Sequence, residues 1–299
     1  MTMWRPGGGA GVFDRRLLLG ILFICMSGMV FPVMNGFAKL LGAEYSSLQV
    51  SWARAFGHFV FILATFMPRE GLSVLRTRRP MIQFVRAMML YISNLCFFFA
   101  VVFIPIADAA AISLTGPLVV ALLAWPMLGE RTNAKRLVAL GCGFAGVLIV
   151  IRPGTELFHW ASLFVVASAC CYGVYQILTR KVAGIDSPAT SSVYAPIVGA
   201  IGMLAVMPFV WRTPASLPHL AMFCALGVLG AAGHYFVARA LTYAPANLVS
   251  PFQYFQLFAS VIVGYLFFAD LPDAATWTGA AIIMASGLYI GWSQTRVER

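Results

Sequence analysis

Charged residues are scarce in this sequence. Asp, Glu, Lys and Arg make up 10% of the 299 residues, whereas soluble domains carry about a quarter. Because 61% of the residues are hydrophobic, the chain has too little polar surface for a water-soluble fold. The hydrophobic residues come in stretches of roughly 20, the length that a helix needs to cross about 30 Å of hydrocarbon. These features exclude a soluble domain and predict an all-α membrane protein.

Motifs for catalysis and metal binding are missing as well. The sequence contains no Gly-x-Ser-x-Gly, His-Glu-x-x-His or Cys-x-x-Cys pattern. All of its cysteines fall within predicted spans, where such residues are typical of packing: Cys25, Cys96, Cys142, Cys170, Cys171 and Cys224. We therefore expect no enzyme activity, no disulfide, no bound metal and no cofactor.

Carboxylates are missing from the interior of every predicted span. All of them lie at or beyond span ends: Asp14, Glu44, Glu70, Asp108, Glu130, Glu156, Asp186, Asp270, Asp273 and Glu298. A proton-driven carrier needs a group that binds a proton in one state and releases it in another, and intramembrane ionisable residues usually supply it. Here the spans offer only Lys39, His58 and His234. The sequence therefore predicts facilitated diffusion by a uniporter.

The apolar stretches number ten, joined mostly by short connections. They cover residues 17–40, 47–67, 82–104, 107–127, 134–151, 160–180, 191–211, 219–243, 247–268 and 274–293. Outside the span interiors, only Arg152 and Arg212 fall on the side opposite the N-terminus. Because Lys and Arg collect on the cytoplasmic side, both termini are predicted to be cytoplasmic. Residues 1–16 are predicted to be a flexible cytoplasmic tail.

The chain resembles itself at a spacing near 141 residues. The segment Ser27–Lys39 matches Ser168–Arg180, with an amide, Asn35 or Gln176, at equivalent places. The predicted repeats are residues 17–151 and 160–293. Each contains five predicted spans, an odd number, so the second repeat is expected to be inverted relative to the first. Inverted repeats place a substrate site near the midplane between the halves.

The segment Pro117–Arg131, which contains Leu-Gly-Glu, and the glycine-rich segment Gly141–Val150 resemble the EamA-type repeat. That repeat defines ten-helix carriers of the drug/metabolite transporter superfamily. The resemblance covers residues 17–151 and 160–291, although Ala269-Asp270 replaces Gly-Glu in the second half and no proline matches Pro117.

The resemblance implies a monomeric, multi-pass protein of the bacterial inner membrane. Within the superfamily the chain is most similar to exporters of aromatic and other neutral amino acids. Small multidrug antiporters of the superfamily use an intramembrane carboxylate, which this chain lacks. A neutral, zwitterionic or weakly anionic substrate is therefore expected.

Polar residues inside the spans are the candidates for substrate binding, because a polar side chain facing lipid is unfavourable. They are predicted to line a cavity together with neighbouring aromatic residues: Asn35, Tyr91, Asn94, Phe98, Tyr172, Gln176, His234, Tyr235, Gln253 and Gln256. Three of the cations in the spans are also considered for a role there. Lys39 and Arg239 are near enough to span ends to reach the interface, whereas Arg54 is deeper, and either a structural or a pathway role is open to it.

Export of aromatic or other neutral amino acids and similar metabolites, by alternating access, is the function predicted first. A carrier of nucleotide sugars or phosphorylated metabolites is the alternative, and it requires at least two cavity cations. A polytopic membrane enzyme or a sensor belongs to a different class and finds no supporting motif. The expected partners are a small-molecule substrate and the lipid bilayer, without nucleic acid.

Overall fold

The chain folds into α-helices, as predicted. The computed structural model describes residues 15–128, 134–182, 185–243 and 250–297, and no β-strand occurs in these ranges. The helices are α1 (Arg15–Gly42), α2 (Ser47–Glu70), α3 (Pro80–Val101), α4 (Ile106–Ser113), α5 (Gly116–Leu128), α6 (Ala134–Ile151), α7 (Ala161–Val182), α8 (Pro188–Ala200), α9 (Met207–Val210), α10 (Leu217–Tyr243), α11 (Phe255–Phe268) and α12 (Ala274–Val297). Three 3-10 helices cover Gly71–Leu75, Gly202–Ala205 and Ser250–Tyr254. Most of the predicted tail, residues 1–14, lies outside the described ranges, as does Glu130.

Within the described ranges, six helical stretches are long and apolar enough to cross a membrane. They are Arg15–Gly42, Ser47–Pro68, Pro80–Val101, Ile106–Leu123, Ala161–Thr179 and Leu217–Val237. Four shorter apolar stretches are Leu137–Ile151, Thr190–Ala205, Phe252–Phe268 and Ala274–Ile290. Together they fall on the ten predicted segments, and the number of complete crossings stays a prediction.

Prolines interrupt some of these segments and not others. The fourth predicted span is divided between α4 and α5, and Pro117 lies in the first turn of α5, where a missing backbone N–H costs nothing. Pro251 lies within the 3-10 helix that precedes α11. Pro32, by contrast, lies inside the continuous helix α1.

The two halves of the chain use the same helix pairings. In the order of the sequence repeat, α1, α2, α3, α4–α5 and α6 correspond to α7, α8, α10, α11 and α12. If each helix is replaced by its counterpart, the α1–α10 contact becomes α7–α3 and the α2–α10 contact becomes α8–α3. All four of these helix pairs are packed together. The α2–α8 and α6–α12 contacts convert into themselves. This is the pattern expected of halves related by a pseudo-two-fold axis.

The N-terminal cap of the second helix is also similar in the two halves. Ser46 caps α2 by accepting a hydrogen bond from the amide of Leu48, and Ser187 caps α8 by accepting one from the amide of Thr190. Both are favoured N-cap residues. The same local signal therefore starts the second helix of each half.

Glycine allows α6 and α12 to touch through their backbones. A Cβ atom on Gly146 would lie 2.9 Å from the carbonyl oxygen of Gly279, and one on Gly279 would lie 2.6 Å from that of Gly146. Small residues are enriched where membrane helices approach closely. Gly141, which the sequence suggests as another close-packing position, has no neighbouring atom within 4 Å of an added Cβ; that expectation was wrong, because Gly141 lies on an exposed face of α6.

This difference provides a test on one helix. Gly146→Ala should destabilise the protein by about 1–3 kcal/mol, the usual cost of overpacking, because backbone atoms of α12 cannot move aside as a side chain can. Gly141→Ala should be neutral or slightly stabilising. Thermal unfolding of the two variants in detergent measures the difference, and equal midpoints would contradict the described α6–α12 contact.

Candidate functional site

A positively charged side chain is buried where helices of both halves meet. Arg54 of α2 is 5% exposed. Its Nη2 lies 3.4 Å from Nε2 of His234 on α10, and its Nε donates to Sδ of Met34 on α1 at 3.4 Å. The ring of Phe98 on α3 lies 6.0 Å from the guanidinium carbon. Helices α1 and α3 of the first half and α10 of the second thus contact this cation of α2.

Two imidazoles lie together beside this cation. His58 follows Arg54 by one helical turn, and its ring stacks on that of His234 at a centroid distance of 5.2 Å and an angle of 9°. The stacking depends on a glycine contact, since a Cβ on Gly57 would lie 2.7 Å from the Cα of Gly227. Without side chains at these two positions, α2 and α10 approach closely enough for the rings to meet.

A narrow cleft adjoins Arg54 on the side of α3 and α8. It has space for about one water molecule and is lined by Ser51, Arg54, Ala55, His58, Leu90, Tyr91, Asn94, Ala195, Pro196 and Gly199. The amide nitrogen of Asn94 donates to the carbonyl of Leu90 at 2.7 Å. The hydroxyls of Ser51 and Tyr91 are buried and have no hydrogen-bond partner among the described residues.

Several of the predicted site residues gather around Arg54. Tyr91 and Asn94 line the cleft, and Phe98 and His234 contact the guanidinium. Tyr172 of α7 stacks on Tyr175 at 5.6 Å and is 37% exposed, so its place in this group stays a prediction.

The other predicted site residues lie apart from this group in the described contacts. Asn35 is buried on α1 beside Met34, Gln176 is half-buried on α7, and Gln256 is half-buried on α11, where its backbone lies next to Gly28. Gln253 and Tyr235 are exposed; Tyr235 contacts Phe236. For all of these, cavity lining stays a prediction.

The sequence-based list omitted Ser51 and His58. Both share one face of α2 with Arg54, at spacings of three and four residues. The signal was present as a polar stripe inside an apolar span. Its importance depends on α8 and α10 being the neighbours of α2, which the sequence of one helix does not reveal.

The side chains of Lys39 and Arg239 make their described contacts away from Arg54. Lys39 donates to the carbonyl of Ile104 at 2.8 Å and lies 3.5 Å from a carboxylate oxygen of Asp270. Arg239 donates to the hydroxyl of Tyr243 at 2.8 Å. The described contacts thus provide one cavity cation, whereas a site for a phosphorylated substrate was expected to need two.

A second polar network surrounds Arg86 at the ends of α3, α7 and α8. Arg86 is 1% exposed and donates to Gln83 at 3.0 Å, to Thr179 at 3.3 Å and to the carbonyl of Ser191. Arg86 lies near the start of the predicted span 82–104, on the side predicted to be cytoplasmic. Its guanidinium is instead buried, with acceptors supplied by three helices.

Asp186, between α7 and α8, completes this network. Its carboxylate accepts hydrogen bonds from the Thr77 hydroxyl, the Arg78 amide at 2.9 Å and the Gln83 side chain at 2.8 Å. Burial raises the pKa of Asp186, but the hydrogen bonds outweigh burial and leave the pKa below its usual range.

Asp186→Asn should therefore lower stability at neutral pH by about 1–3 kcal/mol, because charged hydrogen bonds are lost. A lowered pKa stabilises the folded state above the unfolded-state pKa of about 3.9, and this contribution is lost as the pH falls through the folded-state pKa. Thermal unfolding of both proteins from pH 7 to below pH 4 checks the prediction. A deficit of the variant that does not shrink in acid would contradict this role of the charge.

A polar cluster between two apolar helical repeats occupies the place where carriers built from inverted repeats bind their substrates. The family model of the EamA-like transporter family matches residues 18–152 and again residues 159–292. The chain therefore belongs to the EamA-like transporter family, and both the predicted membership and the predicted two-repeat membrane fold are confirmed. It is a transporter and not an enzyme.

The relatives are named for different substrates. The chain is 31% identical to a riboflavin transporter of Rhizobium johnstonii over 96% of each chain. It is 28% identical to an S-adenosylmethionine uptake transporter of Rickettsia prowazekii, over 94% of this chain and 95% of the relative. It is 27% identical to the pseudopaline exporter CntI of Pseudomonas aeruginosa, over 89% and 94%. The predicted similarity to amino-acid exporters is not confirmed by these names.

A solved crystal structure shares the fold. It superposes with a TM-score of 0.59 at 19% identity and covers 96% of this chain and 100% of the other. At this identity the likeness concerns the fold alone.

Proposed function

We propose that this chain carries small metabolites with an aromatic body across the bacterial inner membrane, by alternating access between its two repeats. The observation that carries the proposal is the cluster of Arg54, His58 and His234, because it buries polar groups between helices of both halves. Such groups are costly within a bilayer and mark substrate pathways. Their position at the contact between the repeats is the one that rearranges when a carrier exposes its site to alternate sides.

Aromatic side chains form much of the surroundings of this cluster. Phe98 lies over Arg54, Phe31 meets His234 edge-to-face at 5.4 Å, and Tyr91 borders the cleft. Offset or edge contacts with such rings favour a flat aromatic substrate. Aromatic amino acids, the substrates predicted from the sequence, have this chemistry.

Riboflavin is a second candidate, favoured by the 31% identity to a riboflavin transporter along 96% of the chain. It also presents a flat fused ring. The relatives include both an uptake transporter and an exporter by name, so their names fix no direction. A uniporter follows the gradient, and metabolites made inside the cell would leave through it.

Counterflow in proteoliposomes tests the proposal. Purified protein, loaded with unlabelled substrate, should accumulate labelled tryptophan, phenylalanine or riboflavin transiently, and should not accumulate labelled hexose phosphates. Protein-free liposomes supply the background. Exchange of hexose phosphate without exchange of any aromatic compound would establish the alternative carrier class and overturn this one.

Tyr172 and Gln176 on α7 are expected to contribute to the substrate path. Tyr172→Ala or Gln176→Ala should reduce the initial counterflow rate several-fold without reducing the amount of folded protein. Tyr265→Ala is the matched control, because the Tyr265 side chain is 56% exposed on the outside of α11. Equal rates for Tyr172→Ala and Tyr265→Ala would remove Tyr172 from the predicted site.

Transport is expected to be uniport. Both imidazoles of the cluster lie beside the Arg54 guanidinium, whose charge opposes the arrival of a second positive charge at short range. A pH gradient imposed on proteoliposomes, with equal substrate on both sides, should therefore produce no accumulation. Uphill accumulation that is abolished by His234→Ala would show proton coupling through this histidine instead.

A further inference from the structure

We propose that the cleft beside Arg54 is a subsite for a carboxylate group of the transported molecule, bound by the guanidinium of Arg54 and the hydroxyls of Ser51 and Tyr91. The inference rests on the proposed function, because the carboxylate enters as part of the substrate. It restricts that function by adding an anionic end to the aromatic body. Arg54 and the two hydroxyls are then specificity-determining residues.

The charge of Arg54 has no counter-ion in the described part of the chain. Ion pairs there join Lys39 to Asp270, Arg152 to Asp273 and His219 to Glu44. A guanidinium has five N–H donors and keeps its charge at any ordinary pH. The described hydrogen bonds of Arg54 use two nitrogens and end on a thioether sulfur and an imidazole nitrogen. A buried cation is costly unless an anion pairs with it.

Two hydroxyls near this cation lack partners. The side chains of Ser51 and Tyr91 are 1% and 8% exposed, and neither hydroxyl makes a hydrogen bond to a described residue. Serines and threonines on other helices of this chain can donate to the carbonyl four residues earlier, as Ser113, Thr179 and Ser260 do. The hydroxyl of Ser51 also lies on a helix, but it does not make this hydrogen bond.

Ser51, Arg54 and Tyr91 line the same cleft, and the side chain of each is a hydrogen-bond donor. Ser51 and Arg54 lie on one face of α2, and Tyr91 approaches from α3. Each supplies an N–H or O–H donor. Carboxylates accept several hydrogen bonds at once, and charge-assisted bonds of this type are the stronger ones. An anionic acceptor would satisfy the cation and both hydroxyls together.

The surroundings of the cleft favour a carboxylate over a phosphoryl group. Helix α8 packs directly on the Tyr91 ring, since a Cβ on Gly199 would clash with that ring. The cleft as it stands holds about one water molecule, and a planar carboxylate needs the smaller opening of the two groups. A phosphoryl group carries more oxygens and up to two charges, and Lys39 and Arg239 are engaged elsewhere.

Two indole compounds that differ only in charge test the subsite. Indole-3-propionate and its neutral amide should both stabilise the purified protein against heat, because a ligand that binds the folded state raises the unfolding temperature. The amide should require about ten-fold more ligand for the same shift, since it lacks the charged hydrogen bonds. In competition with labelled tryptophan in counterflow, the same ratio is expected.

Two variants locate the effect. Arg54→Gln should abolish the preference for the carboxylate. The double variant Ser51→Ala/Tyr91→Phe removes only two oxygen atoms, so it keeps the proposal testable if Arg54→Gln does not fold; it should reduce the preference several-fold. The matched control Ser113→Ala/Tyr265→Phe removes the same atoms from positions outside the cleft and should keep the full preference.

The outcomes separate the two proposals. Equal stabilisation by carboxylate and amide, or a preference unchanged in the Ser51→Ala/Tyr91→Phe variant, would overturn the subsite and show that the cleft holds only a structural water. Counterflow of aromatic compounds would still support the transporter proposal in that case. Preferential binding of the carboxylate without any counterflow would support the subsite and count against the transport proposal.

Discussion

The hydrocarbon interior of a bilayer offers no water, so every polar group placed there must find its partner within the chain or in a ligand. The fold follows from this requirement. Helices satisfy their own backbone hydrogen bonds, and at the break between α4 and α5 the buried Thr115 hydroxyl donates to the carbonyl of Ile112. Side-chain hydroxyls donate to carbonyls of their own helices. Against this background the incomplete satisfaction around Arg54 is an exception.

The two buried arginines show the contrast. Arg86 is surrounded by acceptors from Gln83, Thr179 and Ser191, and Asp186 binds the same network through Gln83. Such a network holds the ends of three helices together and engages the guanidinium with acceptors from the protein itself. Arg54 is also buried, yet its described partners are a sulfur atom and an imidazole nitrogen. A structural arginine and a binding arginine thus differ in their acceptors and not in their burial.

Much of the architecture could be predicted from the sequence, because apolar length and charge placement are properties of each segment by itself. The helices, their order and the two-repeat membrane fold follow from such local signals. For the site, Tyr91, Asn94, Phe98 and His234 could be found as polar or aromatic residues inside apolar spans. Ser51 and His58 were left off the list of site residues, because their place beside the cleft comes from contacts with other helices. The burial of Arg86 could not be predicted for the same reason, since a cation near a span end can reach water or be buried by a neighbour.

The internal repeat explains why the cleft is positive on one side only. The α2–α8 contact is one that the pseudo-two-fold axis maps onto itself, with Ser46 and Ser187 as equivalent caps. At the spacing of the sequence repeat, Arg54 corresponds to Ala195 and His58 to Gly199. All four residues line the cleft. Identical halves would bring two guanidiniums together, and two like charges in a medium of low dielectric constant repel strongly. Small residues on α8 remove this repulsion and leave the opening beside Arg54. An interface that is symmetric in its backbone therefore becomes asymmetric in charge, which gives a substrate with one aromatic end and one anionic end a single preferred orientation.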